Sequence, residues 1–153
     1  MAEQPQDMAC TTGIPKEPEI SVQGRMVTQT VIYSSVDYLG EKWYYTQEGH
    51  RYIMGSRRER AQQQFVEGYL DKIPIIVRQP VAVGKDAGQD ENYLSFGEVS
   101  VAEHGRKKEL FAVVMKKTNA NVVWNLYWLE GHKIPHRVEI LYRTKAARKY
   151  LRR

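Results

Sequence analysis

Three apolar runs, at residues 93–102, 108–117 and 122–129, follow one another with only short turn-forming stretches between them. In the last, VVWNLYWL, alternation places Val122, Trp124, Leu126 and Trp128 on one face and Val123, Asn125 and Tyr127 on the other. Period-two spacing of this kind marks a strand with one buried face, so both tryptophans are expected in the core. Gly105 and Asn119-Ala120-Asn121 supply the turns. Connections this short join antiparallel neighbours, and they commit the second half of the chain to a sheet.

The remaining β signals are weaker. Residues 25–37 are rich in Val, Thr, Ile and Tyr and alternate in part. KWYYTQ (42–47) and RYIM (51–54) flank Glu48-Gly49-His50 and read as an aromatic hairpin. Residues 73–83 are apolar but contain Pro74 and Pro80, which predicts an edge strand or two short pieces joined by a kink. A loop is expected over 84–92 and a last strand over 137–143.

One helix is predicted over 57–72. Ser56-Arg57-Arg58-Glu59 fits a capping box, and Ala61, Phe65 and Tyr69, with Val66 and Leu70, form an apolar stripe. Pro74 lies just beyond as a stop signal. Thr144 can cap a short C-terminal helix over 145–153 that docks through Tyr150 and Leu151 or forms on a partner. The expected fold is therefore α+β: a curved antiparallel sheet of about six to seven strands packed on one main helix, 57–72, with a short C-terminal helix. Residues 1–20, with Pro5, Pro15 and Pro18 and a net charge of −3, read as a flexible acidic arm. Residues 21–153 read as a single domain, which suits the length of the chain.

Cys10 is the sole cysteine, so no intramolecular disulfide can form, which fits a reducing compartment. The segment before it is polar and acidic and lacks the apolar core of a signal peptide, and no run approaches the ~20 apolar residues needed to span a bilayer. The expectation is a cytoplasmic protein, or a virion or assembly component made in the cytoplasm, with no membrane partner.

Charge is the main functional clue. The chain carries +5 overall, yet residues 131–153 hold eight basic side chains against Glu139 alone, a net +7. The positive field is thus concentrated at one end, as expected for contact with an anionic partner. Arg143, Lys145, Arg148, Lys149, Arg152 and Arg153 are its candidate contact residues, with Tyr142 and Tyr150 interleaved as stacking faces. Arg106, Lys107 and Lys108 form a second cluster at a predicted hairpin tip, and Arg57, Arg58 and Arg60 a third. Nucleic acid or an acidic protein surface is the expected partner. With no nucleic-acid-binding signature in the chain, nucleic acid is expected to be held through its phosphates, with little sequence selectivity.

Catalytic fingerprints are missing: there is no phosphate loop, dinucleotide-binding glycine pattern or nucleophile elbow. His132 and His136, separated by Pro135, do not make a helical metal pair, and no metal or cofactor is implied. Glu98 and Ser100 share the face of a half-buried strand opposite Val99 and Val101, which is an ordinary solvent face. The leading expectation is a non-enzymatic binding or assembly protein. A second reading is a small-ligand-binding protein or enzyme with a pocket between helix 57–72 and the sheet, lined by Phe65, Tyr69, Trp124 and Trp128. A third is a homo-oligomeric structural component of a larger complex, with the acidic arm of one subunit on the basic end of the next.

Overall fold

The computed structural model describes residues 18–22, 24–56, 58–86, 92–99, 110–117, 120–130 and 133–145. They form an α+β fold with nine strands: β1 (Glu19–Val22), β2 (Arg25–Thr28), β3 (Val31–Val36), β4 (Lys42–Thr46), β5 (Ala82–Asp86), β6 (Asn92–Glu98), β7 (Leu110–Lys117), β8 (Val122–Glu130) and β9 (Val138–Arg143). β1 and β2 make a separate two-stranded hairpin, and the others form one seven-stranded sheet in the order β3-β4-β8-β7-β6-β5-β9. Pairing is antiparallel except where β4 meets β8, which run parallel through Tyr44 and Val122. The sheet is therefore mixed, not purely antiparallel. The helices and β5–β7 lie between the two strands in sequence, which gives the long connection a parallel pair requires.

Helices occupy residues 47–78 in three short pieces: α1 (Gln47–Gly55), α2 (Arg60–Tyr69) and α3 (Ile73–Arg78), with a 3-10 turn, Leu70–Lys72, between the last two. One main helix over 57–72 is not what forms. RYIM, expected as a strand, is the body of α1. Thr46 caps that helix by accepting from the Gly49 amide at 3.0 Å, Glu48 complements its first turn, and Gly49 and Ile53 bury the same face. Ser56 ends α1, donating its amide to the Tyr52 carbonyl, and does not start α2; Glu59 is the N-cap of α2 and makes no side-chain capping bond. Pro74 lies in the first turn of α3, where its missing N–H is an orphan position in any case, so it opens a helix and does not end one. Strand geometry begins only at Ala82 and continues to Asp86, three residues into the expected loop.

Each face of the central strands buries its own core. On the helix face, Ala112 and Val114 of β7 and Val123 and Leu126 of β8 pack with Ile53, Phe65, Val66, Tyr69, Ile73 and Val77. Gly97 of β6 admits Ile76 so closely that a β-carbon there would stand 2.8 Å from Ile76 Cγ1. On the opposite face, Leu94, Phe96, Phe111 and Val113 pack with Ile134 and Val138. Trp43 and Phe96 are wholly buried, and each side chain of this size contributes about 1.5–3 kcal/mol. Residues 25–37 divide at Gln29, which is fully buried and accepts from the Thr46 hydroxyl at 2.7 Å. The arm expected over 1–20 reaches less far than that, because Glu19 and Ile20 belong to β1 and Ile20 is buried against Val122 and Trp124.

The alternation read along β8 fails at one point. Met115 pairs with Asn125 and Lys116 with Val123, which leaves Trp124 as an extra residue in the ladder. This bulge inverts the faces on its N-terminal side. Val123 joins Leu126 and Trp128 against the helices, whereas Val122 and Trp124 pack with Ile20. Beyond the bulge, β4 no longer flanks β8, and side chains of the helical region take over its outer edge. Gln62 accepts from the Trp128 amide at 3.1 Å and donates to the Trp128 carbonyl at 3.2 Å, as a neighbouring peptide group would. Arg58 donates to the Leu126 carbonyl at 2.7 Å, to the Ile53 carbonyl at 3.0 Å and to Asn125 Oδ1 at 3.2 Å.

Candidate functional site

Two surfaces carry recognisable chemistry. The first lies midway along the basic segment, at Tyr142. Asp37 opens the turn between β3 and β4: one carboxylate oxygen accepts from the amides of Leu39 and Glu41, each at 2.9 Å, and the other is 3.5 Å from the ammonium of Lys116. Lys116 is buried, and that burial holds its pKa below the ordinary lysine range despite the attraction of Asp37. The anchored turn projects Tyr38, whose ring centroid lies 5.1 Å from that of Tyr142 on β9, tilted by 33°. Burial, then the neighbouring Asp37 charge, push the Tyr38 phenol above its ordinary pKa, so it is uncharged at neutral pH. Around the pair, Leu39, Leu141 and Tyr142 are exposed by 66%, 47% and 39%. The register of β9 explains why the last two face outward together. Val83 pairs with Tyr142 and Gly84 with Ile140, so Leu141 is an extra residue.

Of the predicted contact residues, Arg143 ends β9 and Lys145 is exposed just beyond it. Arg148, Lys149, Arg152 and Arg153 lie outside the described residues, as do Arg106, Lys107 and Lys108, all of the expected C-terminal helix over 145–153 except Lys145, and the first 17 residues of the arm. Upstream in the basic segment, two cations are already matched: Lys133 with Glu130 at 3.4 Å and Arg137 with Asp86 at 2.7 Å. Arg58, in the expected third cluster, is an internal clamp on three oxygen acceptors; burial lowers its pKa, and Arg60 is exposed beside it. Arg58 is therefore committed to the fold and not presented to an anion.

The second surface is a groove of about 610 Å3 beside β3 and β4. Val31 pairs with Thr46 and Tyr33 with Tyr45, which leaves Ile32 as an extra residue in β3. This bulge turns Ile32 and Tyr33 to the same side, where strict alternation would separate them. Tyr45 and His50 form the floor, and Leu70, Asp71 and Pro74 the opposite wall. The Tyr33 and Tyr45 rings stack at 5.0 Å and 14°, and the Tyr45 hydroxyl and His50 Nδ1 share a hydrogen bond of 2.7 Å. Desolvation pushes both phenols up to about 12, with the adjacent Tyr45 adding to the effect on Tyr33.

The four residues expected to line one pocket are divided: Tyr69 borders a cavity of about 250 Å3 between α3 and β6, beside Ile76 and Gly97. Phe65 and Tyr69 stack at 4.5 Å inside the helix-face core, with Trp128 5.9 Å from Phe65. Trp124 packs in another cluster and stacks on Tyr52 at 5.3 Å. The groove does lie between residues of the 57–72 span and the sheet, but it is built from β3, β4 and the 3-10 turn. No sequence signal marks it, since the bulge that aims Ile32 depends on the register with β4. Among the described residues no group of three metal-ligating side chains converges, and no helix is long and apolar enough to cross a membrane. No protein-family model, curated protein or solved structure matches this chain.

Proposed function

We propose that this is a non-enzymatic binding protein whose basic C-terminal segment, residues 131–153, engages single-stranded nucleic acid through its phosphates. The observation that carries the reading is the Tyr38–Tyr142 pair, at 5.1 Å, set directly before Arg143 and Lys145. An exposed tyrosine, backed by a half-buried one, beside cations suits a strand whose bases stack while its backbone is neutralised. Tyr38, in the turn after β3, and Tyr142, on β9, come from elements at opposite ends of the strand order, and that turn brings the two rings together. Stacking also favours nucleic acid over an acidic protein surface, which would use the cations without the rings. With Lys133 and Arg137 paired internally, the contact falls to Lys145 and the residues after it.

The test is fluorescence anisotropy with a labelled oligothymidylate across a salt series. Wild-type binding is expected to weaken as salt rises. Replacing Arg148, Lys149, Arg152 and Arg153 with Glu should abolish it while leaving the thermal transition in place, and Tyr142→Ala should weaken it about fivefold to a hundredfold, one stacking contact being worth ~1–3 kcal/mol. Unaltered binding by the quadruple variant defeats the reading. Equal competition by polyglutamate assigns the surface to an acidic protein instead.

A further inference from the structure

We infer that the groove at β3 is a binding site for a small organic cation with an aromatic or alkyl body. This surface is distinct from the basic end and does not depend on the function proposed for it. Its shape is a consequence of the fold: the Ile32 bulge brings two successive side chains of β3 to one side, and the 3-10 turn places Leu70 and Asp71 opposite them. A volume of about 610 Å3 falls within the range that holds small ligands. Ile32 and Leu70 supply apolar walls, and the stacked Tyr33 and Tyr45 rings supply electron-rich surface.

Charge selects the ligand class. Among the described residues that line the groove, Asp71 is an acid and none is lysine or arginine. The adjacent Lys72 is turned aside, with its ammonium 4.2 Å from the centroid of the Tyr69 ring. An ammonium in the groove therefore meets one carboxylate beside the partly exposed Tyr33 ring, which Tyr45 backs, a pairing that favours cations over neutral bodies of the same size. An anion would meet Asp71 with like charge. The phenols do not contribute negative charge of their own, because burial keeps both protonated until about 12. The His50 imidazole, already tied to the Tyr45 hydroxyl, fixes that ring in place at the floor.

The proposal is tested by titrating the full chain with three probes of one aromatic body: benzyltrimethylammonium, benzyl alcohol and phenylacetate. Two-dimensional NMR follows the amides of Tyr33, Tyr45, His50 and Asp71. Saturating shift changes at these residues are expected with the ammonium probe, bound about threefold to tenfold more tightly than the alcohol, with phenylacetate weakest. Asp71→Asn should weaken the ammonium about fivefold and leave the alcohol unchanged. Asp71 is exposed, so the variant should retain the wild-type spectrum elsewhere. Equal affinity for the three probes, an effect of Asp71→Asn smaller than about twofold, or shift changes confined to residues outside the groove overturns the inference.

Discussion

Replacing Gln62 with leucine removes a side chain that stands in for a strand. The Gln62 amide makes two hydrogen bonds to Trp128, one in each direction, at 3.1 and 3.2 Å. Leucine has similar bulk and helix propensity, so helix α2 itself loses little. What is lost is the pairing of one amide and one carbonyl on β8, at a stretch where β4 no longer flanks it. Each such bond contributes about 0.5–1.5 kcal/mol net, and a polar group left poorly solvated costs about 1–3 kcal/mol. Gln62 is itself half-buried, so water can partly replace it, and the expected loss is about 2 kcal/mol. Urea unfolding followed by circular dichroism should show a lower midpoint with an unchanged slope. Native-state hydrogen exchange should show the Trp128 amide losing protection while the β6–β7 ladder keeps it. Gln62→Glu keeps the acceptor but aims a carboxylate at the Trp128 carbonyl, so it should not rescue. A loss below about 0.5 kcal/mol, or an unchanged Trp128 amide, refutes the idea that the helix completes the strand edge.

Two further outcomes follow from the packing and the buried phenols. Gly49→Ala places a β-carbon against the Val123 carbonyl, inside contact distance with backbone on both sides; α1 must move off β8, and a loss of about 2–4 kcal/mol is expected in urea despite alanine's better helix propensity. Stability should also fall between pH 10 and 12. Burial raises the phenols of Tyr33, Tyr45 and Tyr127 from 10.0 to about 12, so the fold favours their protonated forms, and that contribution is intact below pH 10 and lost toward pH 12. Each contributes at most ~2.7 kcal/mol, with Tyr33 well under that because solvent reaches it. Lys116 acts with the opposite sign, but its contribution is complete by its ordinary value of 10.5. Urea midpoints against pH, with tyrosinate absorbance alongside, check this; full tyrosine titration near pH 10 contradicts it.

The strands of the second half were legible because their pattern is local. β6, β7, β8 and β9 fall where alternation and turn residues place them, within a few residues at each end. Features that depend on a partner were not legible. The bulges at Ile32, Trp124 and Leu141 exist only in register with β4, β7 and β5, and each changes which side chains share a face. RYIM has the composition of a strand, yet the Thr46 cap and the approach of Gly49 to β8 make it a helix. Pro74 signals a stop or a start equally well, and only the course of the chain decides. For the candidate sites, Tyr142 and the basic end were visible in composition, but Tyr38 was not, because its contact spans the strand order. The groove was hidden because the bulge that aims Ile32 exists only in register with β4. Arg58 shows the converse error: a cluster of like charges in sequence contained a residue already committed to carbonyl oxygens.

The two outermost strands, β3 and β9, each carry a single unpaired residue, Ile32 and Leu141. A foreign chain trying to prolong the sheet meets an interrupted row of donors and acceptors on either flank. Fibrous growth and docking by strand exchange are both discouraged by this defect. Neither flank offers the unbroken ladder that an added strand would need.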